Sequence, residues 1–150
     1  MNNHEALMCC SRQVLDVIPL VRSGINAWMH REIDRSLWVT PGQMRILYLI
    51  DLGATTSSEL AARQKTSAPT VSRQVESLVE KGLLARERQA KDRRIVTLTL
   101  TPTGQEMLNG LLGSTRQWIA DQLSSLSTRE VEIISQALSL LEVVFSHEEK

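Results

Sequence analysis

The sequence predicts a mainly helical α+β fold carrying a single β-hairpin, and three observations predict it. Apolar residues recur at helical spacing near both ends of the chain. Five hydroxyl residues, each followed by proline or by a carboxylate three places on, mark helix starts. Between Leu84 and Leu100 the pattern changes to a period of two.

From Leu7 to about Ser36, Val14, Ile18, Val21, Ile25 and Trp28 follow the four-three spacing of one helix face. Pro19 either kinks this first helix or marks its first turn, because proline removes a backbone donor and crowds the preceding turn. Thr40-Pro41 caps a second helix whose apolar residues, Met44, Leu47, Tyr48, Ile50 and Leu52, stop at Gly53. Thr56-Ser57-Ser58-Glu59 is a capping box opening a short third helix. Ser67-Ala68-Pro69 caps a fourth, with the stripe Val71, Val75, Leu78 and Val79 ending at Lys81-Gly82.

Alternation then sets in at Leu84 to Gln89. It resumes through Val96, Leu98 and Leu100 against Thr97, Thr99 and Thr101, which describes a hairpin around Ala90-Lys91-Asp92-Arg93. Thr101-Pro102 caps a fifth helix with Met107, Leu108, Leu111, Leu112, Trp118, Ile119 and Leu123 on its apolar side. Gly110 and Gly113 predict a bend or close packing at its middle. Ser127-Thr128-Arg129-Glu130 opens the last helix. It carries one stripe of Val131, Ile134, Leu138, Leu141 and Phe145 and a second of Ile133, Ala137, Leu140 and Val144, more than one internal contact needs.

One domain is the expectation for 150 residues of ordinary composition. No apolar run approaches the roughly 18 residues that span a bilayer, and the start lacks the basic and apolar regions of a signal peptide, so the expected compartment is the cytoplasm, without a membrane partner. The two cysteines, Cys9 and Cys10, are adjacent and form no disulfide framework, which fits a reducing compartment.

The 17 basic and 17 acidic residues cancel, but not evenly along the chain. Between Arg63 and Arg94 nine basic residues face four acidic ones, while the remainder has eight against thirteen. The basic centre coincides with the short helix pair and the hairpin, which suits phosphate binding because each neutralised phosphate releases condensed counterions. Taking 100° per residue, with Val71, Val75, Leu78 and Val79 inward, Pro69, Thr70, Arg73 and Ser77 point outward on the fourth helix. Arg73 is then able to offer two parallel donors to a guanine edge in a major groove. Glu76 and Glu80 near the same side restrict that role to the N-terminal half. At the hairpin tip, Lys91-Asp92-Arg93-Arg94 concentrates cations suited to a narrow minor groove, with Asp92 able to hold a neighbouring guanidinium extended. An ordinary solvated surface remains the competing reading of both features.

The order of helices, Thr56-Ser57-Ser58-Glu59-Leu60-Ala61-Ala62, the helix from Ser67 to Lys81, the tip Asp92-Arg93-Arg94 and the run from Val96 through Leu100-Thr101-Pro102-Thr103-Gly104 resemble the MarR family of bacterial winged-helix transcription regulators. The resemblance covers nearly the whole chain, and its most specific part is the basic wing with its following strand. It implies a winged helix-turn-helix lobe over 40–101 and a homodimer formed through 1–36 and 102–150. Two lobes would then straddle a pseudo-palindromic operator in double-stranded DNA, with recognition helices about 34 Å apart. Residue by residue, the resemblance assigns the recognition-helix role to Ser67, Pro69, Thr70, Arg73 and Gln74 and the wing role to Arg88, Lys91, Asp92, Arg93 and Arg94.

The family resemblance also implies release from DNA by a small aromatic or phenolic ligand, or by cysteine oxidation. Trp28, Trp38 and Tyr48 fall where the first and second helices meet, with His30, Arg31 or Arg45 available to meet a carboxylate; a tryptophan at helical spacing is more often simply core. Cys9 and Cys10 are the alternative sensor, although the chain lacks the tyrosine-rich context of peroxide-sensing relatives and no flanking cation favours a thiolate. His4, Cys9, Cys10, His30 and His147 have no compact metal-ligand spacing, and neither a cofactor nor a metal is expected. The absence of a phosphate loop, a nucleophile elbow and a His-Glu-x-x-His motif argues against an enzyme. The expected function is sequence-specific DNA binding by a dimeric repressor, with a winged-helix protein-interaction module and a thiol-based redox regulator as the alternatives.

Overall fold

A computed structural model describes residues 2–36, 38–88 and 96–146. In chain order its elements are α1 (Asn3–Ser36), α2 (Pro41–Asp51), α3 (Ser57–Gln64), α4 (Ala68–Glu80), β1 (Leu84–Arg88), β2 (Val96–Leu100), α5 (Pro102–Leu123) and α6 (Thr128–Phe145). The chain divides into two compact units, Met1–Thr115 and Arg116–Lys150.

Local chemistry fixes nearly every helix start. Thr40, Thr56 and Ser127 each accept a hydrogen bond from the backbone N–H three residues on, and Gln43, Glu59 and Glu130 return the bond to the cap residue's own N–H. Ser67 caps α4 without the return partner. The first helix begins four residues earlier than the apolar pattern indicates. Asn2 Oδ1 accepts from the Glu5 N–H at 2.8 Å and Glu5 accepts from the Asn2 N–H at 2.9 Å, a further reciprocal cap. Pro19 lies inside α1, so it does not mark a helix start. Helix ends use the left-handed region at Gly53 (φ 94°) and Gly82 (φ 70°), and at Lys65 (φ 52°), a position that more often takes glycine or asparagine.

The core of the first unit is built around α2, α3 and α4. Ile46, Leu47, Leu60, Val71, Leu78 and Leu83 are sealed from solvent, and Ile33 of α1 and Leu108 and Leu111 of α5 close over them. The hairpin is antiparallel, pairing Leu84 with Leu100 and Arg88 with Val96, and it is anchored by buried Leu84 and Leu98. The Leu98 N–H also donates to the Thr55 carbonyl at 2.8 Å, which hooks β2 onto the segment before α3. In the second unit α6 leaves its apolar residues exposed, among them Ile133, Leu138, Leu140 and Val144, and in the first unit the N-terminal half of α1 does the same at Leu7, Leu15, Val17 and Ile18.

The turn from β2 into α5 explains the run Leu100-Thr101-Pro102-Thr103-Gly104. Thr101 Oγ1 donates to the Gly82 carbonyl at 2.6 Å and accepts from the Gly104 N–H at 3.1 Å, while the Thr101 N–H donates to Leu83 O at 3.1 Å. This draws α5 so close to Leu83 that a Cβ at position 104 would lie 2.2 Å from the Leu83 carbonyl oxygen. Gly110 and Gly113 behave otherwise. A Cβ at either meets nothing within 4 Å, so close packing, one of the two expectations for the middle of α5, does not account for them.

The two glycine classes should separate in thermal unfolding. Gly104→Ala is expected to cost about 1–3 kcal/mol, because the backbone carbonyl it meets cannot move without breaking its bond to Thr101. Gly110→Ala is expected to gain roughly 0.5–1 kcal/mol of helix stability. Equal transition temperatures for the two variants would contradict this account.

Candidate nucleic-acid interface

The candidate interface starts at the turn before α3. Glu59 Oε2 accepts from the Thr55 N–H at 2.7 Å and the Thr56 N–H at 3.1 Å. These bonds, the Thr55 one foremost, hold the carboxyl below the ordinary glutamate value of 4.5, despite its slight desolvation. The same two-residue segment takes the Leu98 bond from β2, so one capped turn aligns the helix pair with the hairpin.

Behind this turn α4 buries Val71, Val75 and Leu78 and exposes Pro69, Ser72, Arg73, Glu76 and Glu80. Ser67 and Thr70 cap the helix with their hydroxyls 2.8 Å apart, and Arg73 Nε donates to the Pro69 carbonyl at 3.4 Å. Pro69 and Arg73 therefore share an exposed face at the N-terminal half of α4, where the positive end of the helix dipole favours phosphate. Ser72 joins that surface, although the helical wheel did not single it out.

Ser77, predicted to point outward, and Gln74, given a recognition role by the resemblance, are turned toward α2, and Thr70 of the outward set is half-buried. Ser77 is half-buried and accepts from Gln43 Nε2 of α2 at 3.0 Å. Gln74 is also half-buried, with its side-chain amide against Gly42 so closely that a Cβ there would lie 2.6 Å from Gln74 Nε2. Gln74 Oε1 is buried without a hydrogen-bond partner among the described residues. α2 lies over that flank of α4 and covers both.

Of the wing residues, Arg88 ends β1 opposite Val96. Lys91, Asp92, Arg93 and Arg94 lie outside the described residues. Lys81, counted in the basic surplus, is turned inward: Nζ donates to the Trp38 carbonyl at 2.8 Å and to Gln43 Oε1 at 3.0 Å.

A cavity of about 350 Å³ opens where α1, α2 and α5 meet. Ile25, Met29, Ile33, Met44, Leu108 and Leu112 make it mainly apolar, and Asn26, His30, Arg45, Tyr48 and Thr115 supply its polar groups. Arg45 and Tyr48 from the sequence set are thus brought together. Trp28, Arg31 and Trp38 are not in its lining. Trp28 is half-buried and packs against the core, Arg31 is exposed, and the exposed Trp38 ring centroid lies 5.6 Å from Lys81 Nζ. The two thiols, Cys9 and Cys10, are free and exposed on α1. Among the described residues no cluster of His, Cys, Asp or Glu is fit to hold a metal, and no helix is long and apolar enough to cross a membrane.

A short helix pair, a second helix exposing a cationic N-terminal face and a hairpin hooked to their turn define a winged helix-turn-helix protein. Residues 39–95 match the family model described as MarR family. The chain is 28% identical over 93 residues to the HTH-type transcriptional regulator Mb0904 of Mycobacterium bovis, covering 62% of this chain and 65% of the relative. It is 32% identical over 94 residues to the HTH-type transcriptional repressor MdtR of Bacillus subtilis, covering 62% of this chain and 61% of MdtR. The matches therefore span less than two thirds of either relative. In structure it resembles the transcriptional regulator Tm0710 of Thermotoga maritima, with a TM-score of 0.79 at 23% identity over 91% of this chain and 96% of that one. It also resembles a mutant of S. aureus MepR bound to an oligodeoxyribonucleotide, with a TM-score of 0.62 at 20% identity over 85% and 94% of the two chains. Over residues 39–95 the chain is thus similar to the MarR family, and the relatives it matches are described as transcriptional regulators.

Glu59 carries a pH dependence whose sign follows from its depressed pKa. Its contribution to stability is present above about pH 4.5 and is lost as pH falls through the lower folded-state value. Glu59→Gln should therefore lower the unfolding temperature at neutral pH, with the gap to the native protein narrowing below about pH 4.5. A gap constant from pH 7 to pH 3 would show that the ionised cap contributes nothing.

Proposed function

We propose that this chain is a sequence-specific, double-stranded-DNA-binding transcription regulator that acts as a homodimeric repressor and is released by a small aromatic or phenolic ligand. The observation that carries the reading is the exposed Pro69–Arg73 face of α4, backed by a fully buried apolar face and joined through Thr55 to the hairpin. Major-groove readout falls to Arg73, with Pro69 and Thr70 beside it and Ser67 and the helix start against phosphate. The wing role, assigned to Arg88, Lys91, Asp92, Arg93 and Arg94, rests on the charge of that segment. The printed descriptions of MdtR as a repressor and of MepR as bound to an oligodeoxyribonucleotide support the same reading.

The dimer is supported by the exposed apolar residues of α6, which a second copy of the chain would remove from water. The effector is supported by the cavity at α1, α2 and α5, within the size range of small-molecule sites and largely apolar, with Arg45 to meet an acidic group. A ligand that binds one arrangement of the lobes better than the other shifts DNA affinity by linkage.

Selection of duplexes from a randomised library by the purified protein should enrich a two-fold-symmetric site, with affinity falling steeply as salt rises. Arg73→Ala should change the preferred base at one position of each half-site and cost about 1–3 kcal/mol there, whereas Arg94→Ala should weaken all sequences alike and reduce the salt slope by about one. Failure to enrich any duplex would turn the assignment toward a protein-binding module. In sedimentation equilibrium, Leu140→Glu should convert a dimer to a monomer; a native protein that is already monomeric would remove the dimer from the proposal.

A further inference from the structure

The last turn of α4 is fastened to the connection between α1 and α2 by Lys81. Its ammonium group donates to the Trp38 carbonyl at 2.8 Å and to Gln43 Oε1 at 3.0 Å, beneath the Trp38 ring. Gln43, itself buried, extends the contact by donating to Ser77 Oγ one turn earlier on α4 at 3.0 Å. Pro41 and Met44, which flank Gln43 in the first turn of α2, form part of the cavity wall. One helical turn therefore presents two residues to the cavity and a third to the C-terminal end of α4. Because Pro41, Gln43 and Met44 belong to one helical turn, a displacement of that turn's backbone carries Gln43 with it.

We propose that Lys81 is a positioning residue, a latch through which the state of the cavity sets the order of the C-terminal turn of α4. With the cavity unfilled, Gln43 and the Trp38 carbonyl stand where Lys81 reaches both. An occupant that pushes on Pro41 and Met44 withdraws both acceptors, and the last turn of α4 loosens. A buried amide keeps such a latch close to two-state, since Gln43 is either fully partnered or costly. Arginine would preserve the contact, having planar donors for both oxygens and a face for the Trp38 ring, while methionine keeps the apolar stem and loses the donors. The consequence for DNA rests on the function proposed above; the latch itself does not.

The test is a double-mutant cycle read by hydrogen–deuterium exchange over residues 77–84 and, separately, by affinity for the selected duplex. Leu112→Trp fills the cavity from α5, away from α2. Lys81→Met should speed exchange about tenfold, Lys81→Arg should restore it, and Leu112→Trp should speed it in the native background with no further effect in the Lys81→Met background. The same non-additivity is expected in DNA affinity. Met44→Leu, which reshapes the wall on α2 at near-constant volume, runs the cycle independently should the tryptophan variant not fold. Effects that multiply in the double variant, or a Lys81→Met protein whose exchange is unchanged, overturn the latch. Non-additive exchange in a protein that binds no duplex keeps the latch and overturns the DNA reading.

Discussion

The buried side-chain amide of Gln43 ties together more of the helix-turn-helix than any apolar contact does. Its oxygen accepts from the Thr40 N–H at 3.1 Å and from Lys81 Nζ at 3.0 Å, and its nitrogen donates to Ser77 Oγ at 3.0 Å. It thus caps α2, seats the last turn of α4 and, through Lys81, fixes the Trp38 carbonyl at the end of the connection from α1. Gly42 beside it accepts from Gln64 of α3 at 3.2 Å and lies against Gln74 of α4. Apolar burial supplies the bulk of the stabilisation but no direction. An amide with three bonds satisfied in fixed geometry specifies which way α4 lies across α2, because slipping the pair would strand polar atoms at about 1–3 kcal/mol each.

This constraint separates the two ends of α4. The C-terminal end is held by Ser77 and Lys81, and Gln74 is turned against Gly42. The N-terminal end is held only by its own cap and by Val71 beneath it, which leaves Pro69, Ser72 and Arg73 facing solvent. A helix held rigidly at one end and open at the other is what groove insertion demands: the contacting residues must be accessible, yet their direction must be set by residues that the nucleic acid does not touch.

How much of this could be read from the sequence depended on sequence separation. The caps at Thr56 and Ser127 were legible from a carboxylate three residues away, the cap at Ser67 from the proline after it, and the helix stops from Gly53 and Gly82 themselves. The hairpin was legible from its period of two. Gln43 obeys the same three-residue rule after Thr40, and Glu5 after Asn2, so both caps carry a local signal in the sequence. The ties of Gln43 to Ser77 and Lys81, 34 and 38 residues away, left no local trace, so Ser77 was assigned to the outward face and Lys81 to the basic surplus. The cavity was half legible. The meeting of the first two helices located Arg45 and Tyr48, but the aromatic rings that suggested a pocket, Trp28 and Trp38, went to the core and to Lys81, while the α5 wall of Leu108, Leu112 and Thr115 had no signal beyond helical periodicity.

The motif around Gly104 shows how a sequence signature can be recognised before its cause is known. Thr101 reads locally as a cap, while nothing local explains Gly104. The fold supplies the reason, since the Thr101 hydroxyl and N–H draw that turn onto Gly82 and Leu83, where only a residue without Cβ fits. Leu83 sits between the end of α4 and the start of β1, with its side chain fully buried in the core. The start of α5 is thereby docked on the exit of α4, one residue past the latch residue Lys81 and its following glycine. α5, which supplies one wall of the cavity, meets the exit of α4 by backbone contact at Leu83, and α2, which supplies another, is joined to α4 by side chains through Gln43. The Lys81 contact and the Leu83 contact thus lie at the same, C-terminal, end of α4.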